Sequence, residues 1–177
     1  YISPTMIKSV GARYVILGHS EKRARGETNE IINLKIKAAL GAGLIAILCV
    51  GEKERTTSGE YLGFIQNQLQ NSLFKISKNQ ISQIIIAYEP VWAVGRKDWK
   101  TIDPRDLQEM SLFIKKILTQ IYNKEEAANV PILYGGSLLP ENAISILRDG
   151  RVDGLLVGRA SLNVEDFSAI LKEAENV

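Results

Sequence analysis

Short apolar runs rich in β-branched residues alternate along this chain with longer segments in which apolar positions recur at helical spacing. Five runs read as strands, over residues 14–17, 44–50, 84–88, 132–134 and 154–157. Each is apolar at nearly every position, the pattern expected of strands covered on both faces in a parallel sheet. Helical segments follow in turn: about 29–42 behind Thr28, about 60–73 behind Ser58, 104–122 behind Asp103, about 141–147, and 164–174. Thr, Ser and Asp suit the N-cap because their side-chain oxygens accept from orphan backbone N–H groups. At the start of the chain, Ser3 and Pro4 read as an N-cap and a first helical position, opening a helix whose preceding strand is not in the sequence. Strand, crossover helix, strand repeats without a linker, which predicts an α/β fold with one parallel sheet and a single domain over 1–177.

Composition fits that picture, since 45% apolar and 24% charged residues in a 177-residue chain are near the globular average. With 22 Lys and Arg against 20 Asp and Glu, a net charge of +2 gives no electrostatic argument for nucleic acid or an anionic membrane. A single cysteine cannot form an internal disulfide, so a reducing, cytoplasmic setting is expected. No apolar stretch approaches the roughly 18 residues that would span a bilayer. Tyr1 is not an initiator Met, and no charged-then-apolar signal region follows it, so the chain reads as the inside of a longer protein. No metal-ligand cluster, dinucleotide fingerprint or Walker loop is present; neither a cofactor nor a metal is expected.

Chemistry concentrates where the strands end, which is where α/β sheets and barrels bind ligands. The first strand runs into Gly18-His19-Ser20-Glu21, which holds the only histidine. A lone histidine is ordinarily a surface or satisfied core residue. Here its place after a strand, at a turn into a short helix, suits a neutral imidazole that donates to a carbonyl oxygen. The third strand runs into Glu89-Pro90-Val91-Trp92. Proline disfavours helical backbone before it, so Glu89 is extended and projects from the strand end. A carboxylate there carries a desolvation cost; a general base explains it better than a salt bridge to a barrel arginine. Tyr134-Gly135-Gly136-Ser137 follows the fourth strand, and Gly158-Arg159-Ala160-Ser161 the fifth. Glycine lets backbone approach a ligand closely, and N–H groups at a helix start bind phosphate. Two such turns on successive strand ends match the phosphate site that forms after the last strands of a barrel.

In that order, Gly-His-Ser-Glu, Ala-Tyr-Glu-Pro-Val-Trp-Ala, Tyr-Gly-Gly-Ser and Asp-Gly-Leu-Leu-Val-Gly-x-Ala-Ser-Leu resemble the triosephosphate isomerase family, as does Ile47-Leu48-Cys49-Val50-Gly51-Glu52. The resemblance covers essentially the whole chain. It implies a (β/α)8 TIM barrel, incomplete as given, whose five parallel strands are the fourth through eighth. Such barrels typically run to about 250 residues, so roughly 70 residues and three βα units would precede this chain. By the same resemblance Glu89 is the base that interconverts glyceraldehyde 3-phosphate and dihydroxyacetone phosphate, and His19 the electrophile that stabilises the enediolate. Backbone N–H groups of Gly95, Ser137, Gly158 and Arg159 would hold the substrate phosphate. Glu21, Arg23 and Glu52 match charges behind the site, where structural salt bridges are the favoured role.

The resemblance further implies a homodimer when full length, an upstream lysine facing the phosphate, no cofactor, and a place in glycolysis and gluconeogenesis. Residues 95–101 read as the family's lid with a two-residue insertion, and Arg159 stands where a glycine is common. The rebuilt lid keeps open an isomerase of a four-carbon ketose phosphate, and the missing units keep open an inactive fragment. Trp92 reads as a packing anchor and Cys49 as a small buried hydrophobe. Lys53, Glu54, Arg55, Lys115 and Lys116 read as solvated charge.

Overall fold

The computed structural model describes residues 2–56, 58–94 and 102–175. Five strands, β1 (Tyr14–Leu17), β2 (Ile45–Val50), β3 (Ile84–Tyr88), β4 (Ile132–Tyr134) and β5 (Gly154–Leu155), form one parallel sheet in sequential order. The helices are α1 (Pro4–Ser9), α2 (Ser20–Ala24), α3 (Asn29–Gly41), α4 (Glu60–Ser72), α5 (Lys78–Ile81), α6 (Pro104–Ile121), α7 (Lys124–Asn129), α8 (Pro140–Gly150) and α9 (Val164–Ala174). Short 3-10 turns occupy Val91–Ala93 and Arg159–Leu162. Crossovers of one hand between strands laid down in sequential order put every connecting helix on the same face of a sheet. That is the winding of a barrel wall, and among the described residues the wall is open, with β1 and β5 at its edges.

Burial follows from this winding. Ala46, Leu48, Val50, Ile84, Ile86, Tyr88, Ile132 and Tyr134 face the helices and join one core with Ile32 and Ile36 of α3, Ile65 and Leu69 of α4, and Ile114 and Leu118 of α6. The alternate positions Ile47, Ile85 and Leu133 are only half-buried, and Tyr14 and Ile16 on the edge strand are 53% and 48% exposed. Strands covered on both faces were the expectation; helices cover one face, and the apolar residues of the other line the interior of the wall.

Most helix starts obey their caps. Ser3 accepts from the Met6 N–H at 3.2 Å, Thr28 from Ile31 at 3.4 Å, Asp103 from Arg105 at 2.8 Å, and Asn163 from Asp166 at 2.9 Å. The start of α4 differs from expectation: Gly59, not Ser58, is the N-cap, at φ 75°, with no side-chain bond. The fifth strand ends at Leu155, two residues short of expectation. α5 and α7 escape the helical pattern because they are only 4 and 6 residues long. Lys115 is not solvated charge. Its ammonium donates to the carbonyls of Ala127, Ala128 and Val130, closing the C-terminal end of α7, and burial pulls its pKa down.

Candidate active site

All five strands point their C-terminal ends to one rim, and Glu89 sits there immediately after the central strand. Two glycines from the flanking strands make room for it. A Cβ at Gly51 would lie 1.7 Å from the Glu89 carbonyl oxygen, and one at Gly135 would lie 2.8 Å from Glu89 Cγ. The ladder continues past both: the Glu89 N–H donates to the Val50 carbonyl at 2.8 Å, and the Gly135 N–H to the Tyr88 carbonyl at 2.9 Å. The Glu89 side chain is thereby pinned from left and right and is only 4% exposed.

His19 follows edge strand β1 and is the N-cap of α2. Its Nδ1 accepts from the Glu21 N–H at 3.4 Å, which leaves Nε2 to carry the proton of a neutral ring. Nε2 lies 3.5 Å from Glu89 Oε1, and the Ser20 N–H donates to Glu89 Oε2 at 3.4 Å. The turn that delivers His19 needs Gly18 at φ +73°, because a Cβ would meet Arg23, Cys49 and Ile32 at 3.0–3.1 Å. Arg23 reinforces that turn: Nε donates to the Gly18 carbonyl at 2.6 Å and its terminal nitrogens to Asn29 Oδ1 at 2.7 Å and the Cys49 carbonyl at 3.0 Å. Among the described residues no carboxylate lies within ion-pair distance of Arg23 and no cation within ion-pair distance of Glu21, so the salt bridges expected for these two are not made.

Burial pushes the Glu89 carboxyl above the usual carboxylate range. Opposing it are His19, the Cys49 thiol, the Ser20 N–H, and the Arg23 charge. Burial also pushes the Cys49 thiol up, so it stays protonated and is not a nucleophile.

His19, Glu89, Ser137, Gly158 and Arg159 line one cavity of about 510 Å³, together with Glu21, Gly135, Gly136 and Asp166. Gly136 belongs there for a packing reason as well: a Cβ would lie 2.1 Å from the Tyr134 hydroxyl oxygen. Gly158 leads into the 3-10 turn, and the Ser161 hydroxyl donates back to its carbonyl at 2.6 Å. Gly95 and the other residues of the lid, 95–101, lie outside the described residues. Among the described residues no group of three or more His, Cys, Asp or Glu could hold a metal, and no helix is long and apolar enough to cross a membrane.

Behind the rim, Glu52 is buried at 1% exposure and is ion-paired, as expected, to Arg55 at 3.2 Å. Arg55 itself departs from the solvated charge expected of it, being held by Glu52 and Asp106 with its side chain 18% exposed. Trp92 does more than pack, since its indole N–H donates to Glu52 Oε1 at 2.8 Å. Sequence reasoning missed Gly51 and Ser20 as neighbours of the carboxylate. A glycine directly after the apolar run of β2 was the available signal for Gly51, and a backbone donor such as Ser20 leaves none.

The profile of the triosephosphate isomerase family matches residues 1–174. The triosephosphate isomerase of Carboxydothermus hydrogenoformans is 46% identical over 173 residues, which is 97% of this chain and 68% of that protein. That of Protochlamydia amoebophila is 43% identical over 178 residues, 99% of this chain and 67% of that protein. The crystal structure of triosephosphate isomerase from Bartonella henselae superposes with a TM-score of 0.85 at 38% identity, covering 98% of this chain and 69% of that one. The sheet is thus a large part of a TIM barrel wall, about two thirds of the length of its relatives, and the chain belongs to the triosephosphate isomerase family.

Proposed function

We propose that this chain carries the proton-transfer half of an isomerase that interconverts glyceraldehyde 3-phosphate and dihydroxyacetone phosphate. The observation that carries this reading is a buried carboxylate, Glu89, 3.5 Å from the Nε2 of His19 at the mouth of a cavity. Glu89 takes a proton from the carbon beside the substrate carbonyl while His19 Nε2–H donates to the carbonyl oxygen. The resulting enediolate regains that proton at the former carbonyl carbon, while the hydroxyl proton passes from the oxygen that becomes the new carbonyl to the oxygen of the old one, so aldose becomes ketose without loss or gain of atoms. General-base catalysis is typically worth about 10²- to 10⁴-fold, and a placed oxyanion donor about 2.7 to 4 kcal/mol, so both groups are required. Backbone N–H groups of Ser137, Gly158 and Arg159, which line that cavity, hold the phosphate together with that of Gly95.

The protein works as one domain closed by three further βα units, as a cytoplasmic homodimer. The open edges support that reading: Tyr14 and Ile16 on β1, and Leu162 and Val164 beyond β5, are large apolar side chains left exposed where the next strands of a wall would cover them. The test is turnover of glyceraldehyde 3-phosphate by the protein with its upstream units in place, beside its Glu89→Gln variant and the 177-residue chain alone. Turnover by the complete protein, its loss by about 10³-fold or more in Glu89→Gln, and no substantial turnover by the chain alone are expected. Unchanged turnover in Glu89→Gln would overturn the assignment of the base.

A further inference from the structure

Arg55 lies on the connection between β2 and α4, outside the cavity, yet it reaches the chain on both sides of Glu89. Its Nε is 3.2 Å from Glu52 Oε1, and one terminal nitrogen donates to the Tyr88 hydroxyl at 3.4 Å and to the Asp106 carbonyl at 3.4 Å. The other is 3.1 Å from Asp106 Oδ2 in the first turn of α6. The guanidinium also lies over two rings, Tyr61 of α4 at 5.0 Å and Trp92 at 5.9 Å. We propose that Arg55 is a positioning residue for Glu89, acting through Glu52 on the residues that flank the base. This rests on the assignment of Glu89 above.

Glu52 is the intermediary. One oxygen of this buried carboxylate accepts from three donors: the Tyr88 hydroxyl at 2.8 Å, the Trp92 indole at 2.8 Å and Arg55. Its other oxygen is 3.1 Å from the same tyrosine, and its carbonyl accepts from the Val91 N–H at 2.9 Å. Tyr88 is the residue before Glu89; Val91 and Trp92 follow it closely. Glu52 therefore grips the chain upstream of the base through the Tyr88 side chain and downstream of it through the Val91 N–H and the Trp92 indole. Burial, reinforced by Glu52, pushes the Tyr88 hydroxyl up, which keeps it a donor.

A carboxylate at such depth keeps its charge only beside a compensating cation. Among the described residues Arg55 is the one cation within ion-pair distance of Glu52. The fork geometry matters as well as the charge, because a planar guanidinium serves Glu52 and Asp106 from different nitrogens while stacking on the rings. Without Arg55, the buried Glu52 carboxylate has lost its cation and turns toward water. Tyr88 or Trp92 then loses its acceptor, and the segment holding Glu89 loosens.

The experiment uses the complete protein and three variants, Arg55→Met, Arg55→Lys and Glu52→Gln, with the Arg55→Met, Glu52→Gln double variant. A small displacement of a catalytic group costs up to about 10²-fold, so Arg55→Met is expected to lower kcat by about 10- to 100-fold. KM is expected to stay within about threefold, because the loops after β4 and β5 that hold phosphate make no contact with Arg55. Arg55→Lys restores charge without the fork and recovers part of kcat. In the Glu52→Gln background, Arg55→Met is expected to cost less than about twofold more, since the intermediary is already lost.

A second readout needs no turnover. Of the two tryptophans in the 177 residues, Trp92 is left alone by Trp99→Phe; read as the difference from the same protein carrying Trp92→Phe, its emission is expected to shift to the red in Arg55→Met as the indole loses Glu52. A kcat within about twofold of the parent in Arg55→Met, losses that multiply with those of Glu52→Gln, or an unmoved Trp92 emission would each overturn the proposal. If the complete parent protein fails to turn over triose phosphates, the proposed function fails instead, and Trp92 emission alone decides whether Arg55 holds this segment.

Discussion

The two side chains at the centre of the site follow strands in opposite circumstances. Glu89 follows β3, which pairs with β2 on one side and β4 on the other; His19 follows β1, which pairs with β2 alone. The difference shows in exposure, 4% for the carboxylate against 37% for the imidazole. On the central strand, neighbouring backbone fixes the functional group from both flanks, so the carboxylate can be buried and still held. On the edge strand the missing flank is replaced by a local device, the Gly18 turn clipped to β2 by Arg23. Precision at the centre comes from the sheet, and at the edge from one arginine.

The sharpest way to break that contrast is at Gly51. A Cβ there meets the Glu89 carbonyl oxygen at 1.7 Å; a Cβ has no rotamer and the oxygen is backbone, so no rotamer change relieves it. Gly51→Ala is expected to cost about 3 kcal/mol or more, read from urea unfolding, because β2 and β3 must part where they flank Glu89. In the complete protein it should also lower kcat by about 10²-fold through displacement of Glu89. Stability and turnover close to those of the parent would show that the rim is more compliant than the packing implies.

A paired substitution in the two strands sharpens the same contrast at a lower cost. Ile86 on β3 is fully buried among the helices, and Ile16 on β1 is 48% exposed. Ile86→Ala is expected to lose about 2–5 kcal/mol in transfer and cavity terms. Ile16→Ala in the chain alone is expected to stay within about 0.5 kcal/mol of the parent. Adding the upstream units should raise the cost of Ile16→Ala above about 1 kcal/mol, as a strand laid against β1 buries that side chain. An equal cost of Ile16→Ala in both forms would argue that the open edge is not where those units dock.

What the sequence made legible follows the same division between local and assembled features. Five β-branched runs, their caps and the Pro90 constraint on Glu89 are local, and each is met near its expected place. His19 was legible because a strand end and a glycine turn are local too. Arg55 was not, since it sits beside Lys53 and Glu54, which are exposed, and its partners Tyr88 and the Asp106 carbonyl lie 33 and 51 positions away. Lys115 was missed for a similar reason, its acceptors being the carbonyls that end α7, a helix too short to show as a period. The half-covered inner face of the sheet was equally hidden, because uniformly apolar strands look alike whether the second face meets helices or the interior of a barrel.

The smallest effect is a slope in pH, and it tests whether Glu89 is as enclosed as the contrast with His19 implies. Burial raises the Glu89 carboxyl above its ordinary value of 4.5, against the pull of His19, Cys49, the Ser20 N–H and Arg23. Between 4.5 and the raised value the folded protein therefore binds more protons at this group than the unfolded chain does, which makes its contribution to stability fall as pH rises. That contribution is fully present below the unfolded value and is lost as pH climbs through the folded one. Glu89→Gln removes the titration while keeping the shape. Its stability relative to the parent should rise with pH across this window, measured by urea unfolding at a series of pH values. A parent and variant whose stabilities run parallel across the window would place the Glu89 carboxylate in a solvated setting, and the central strand would then hold its functional group no more tightly than the edge holds His19.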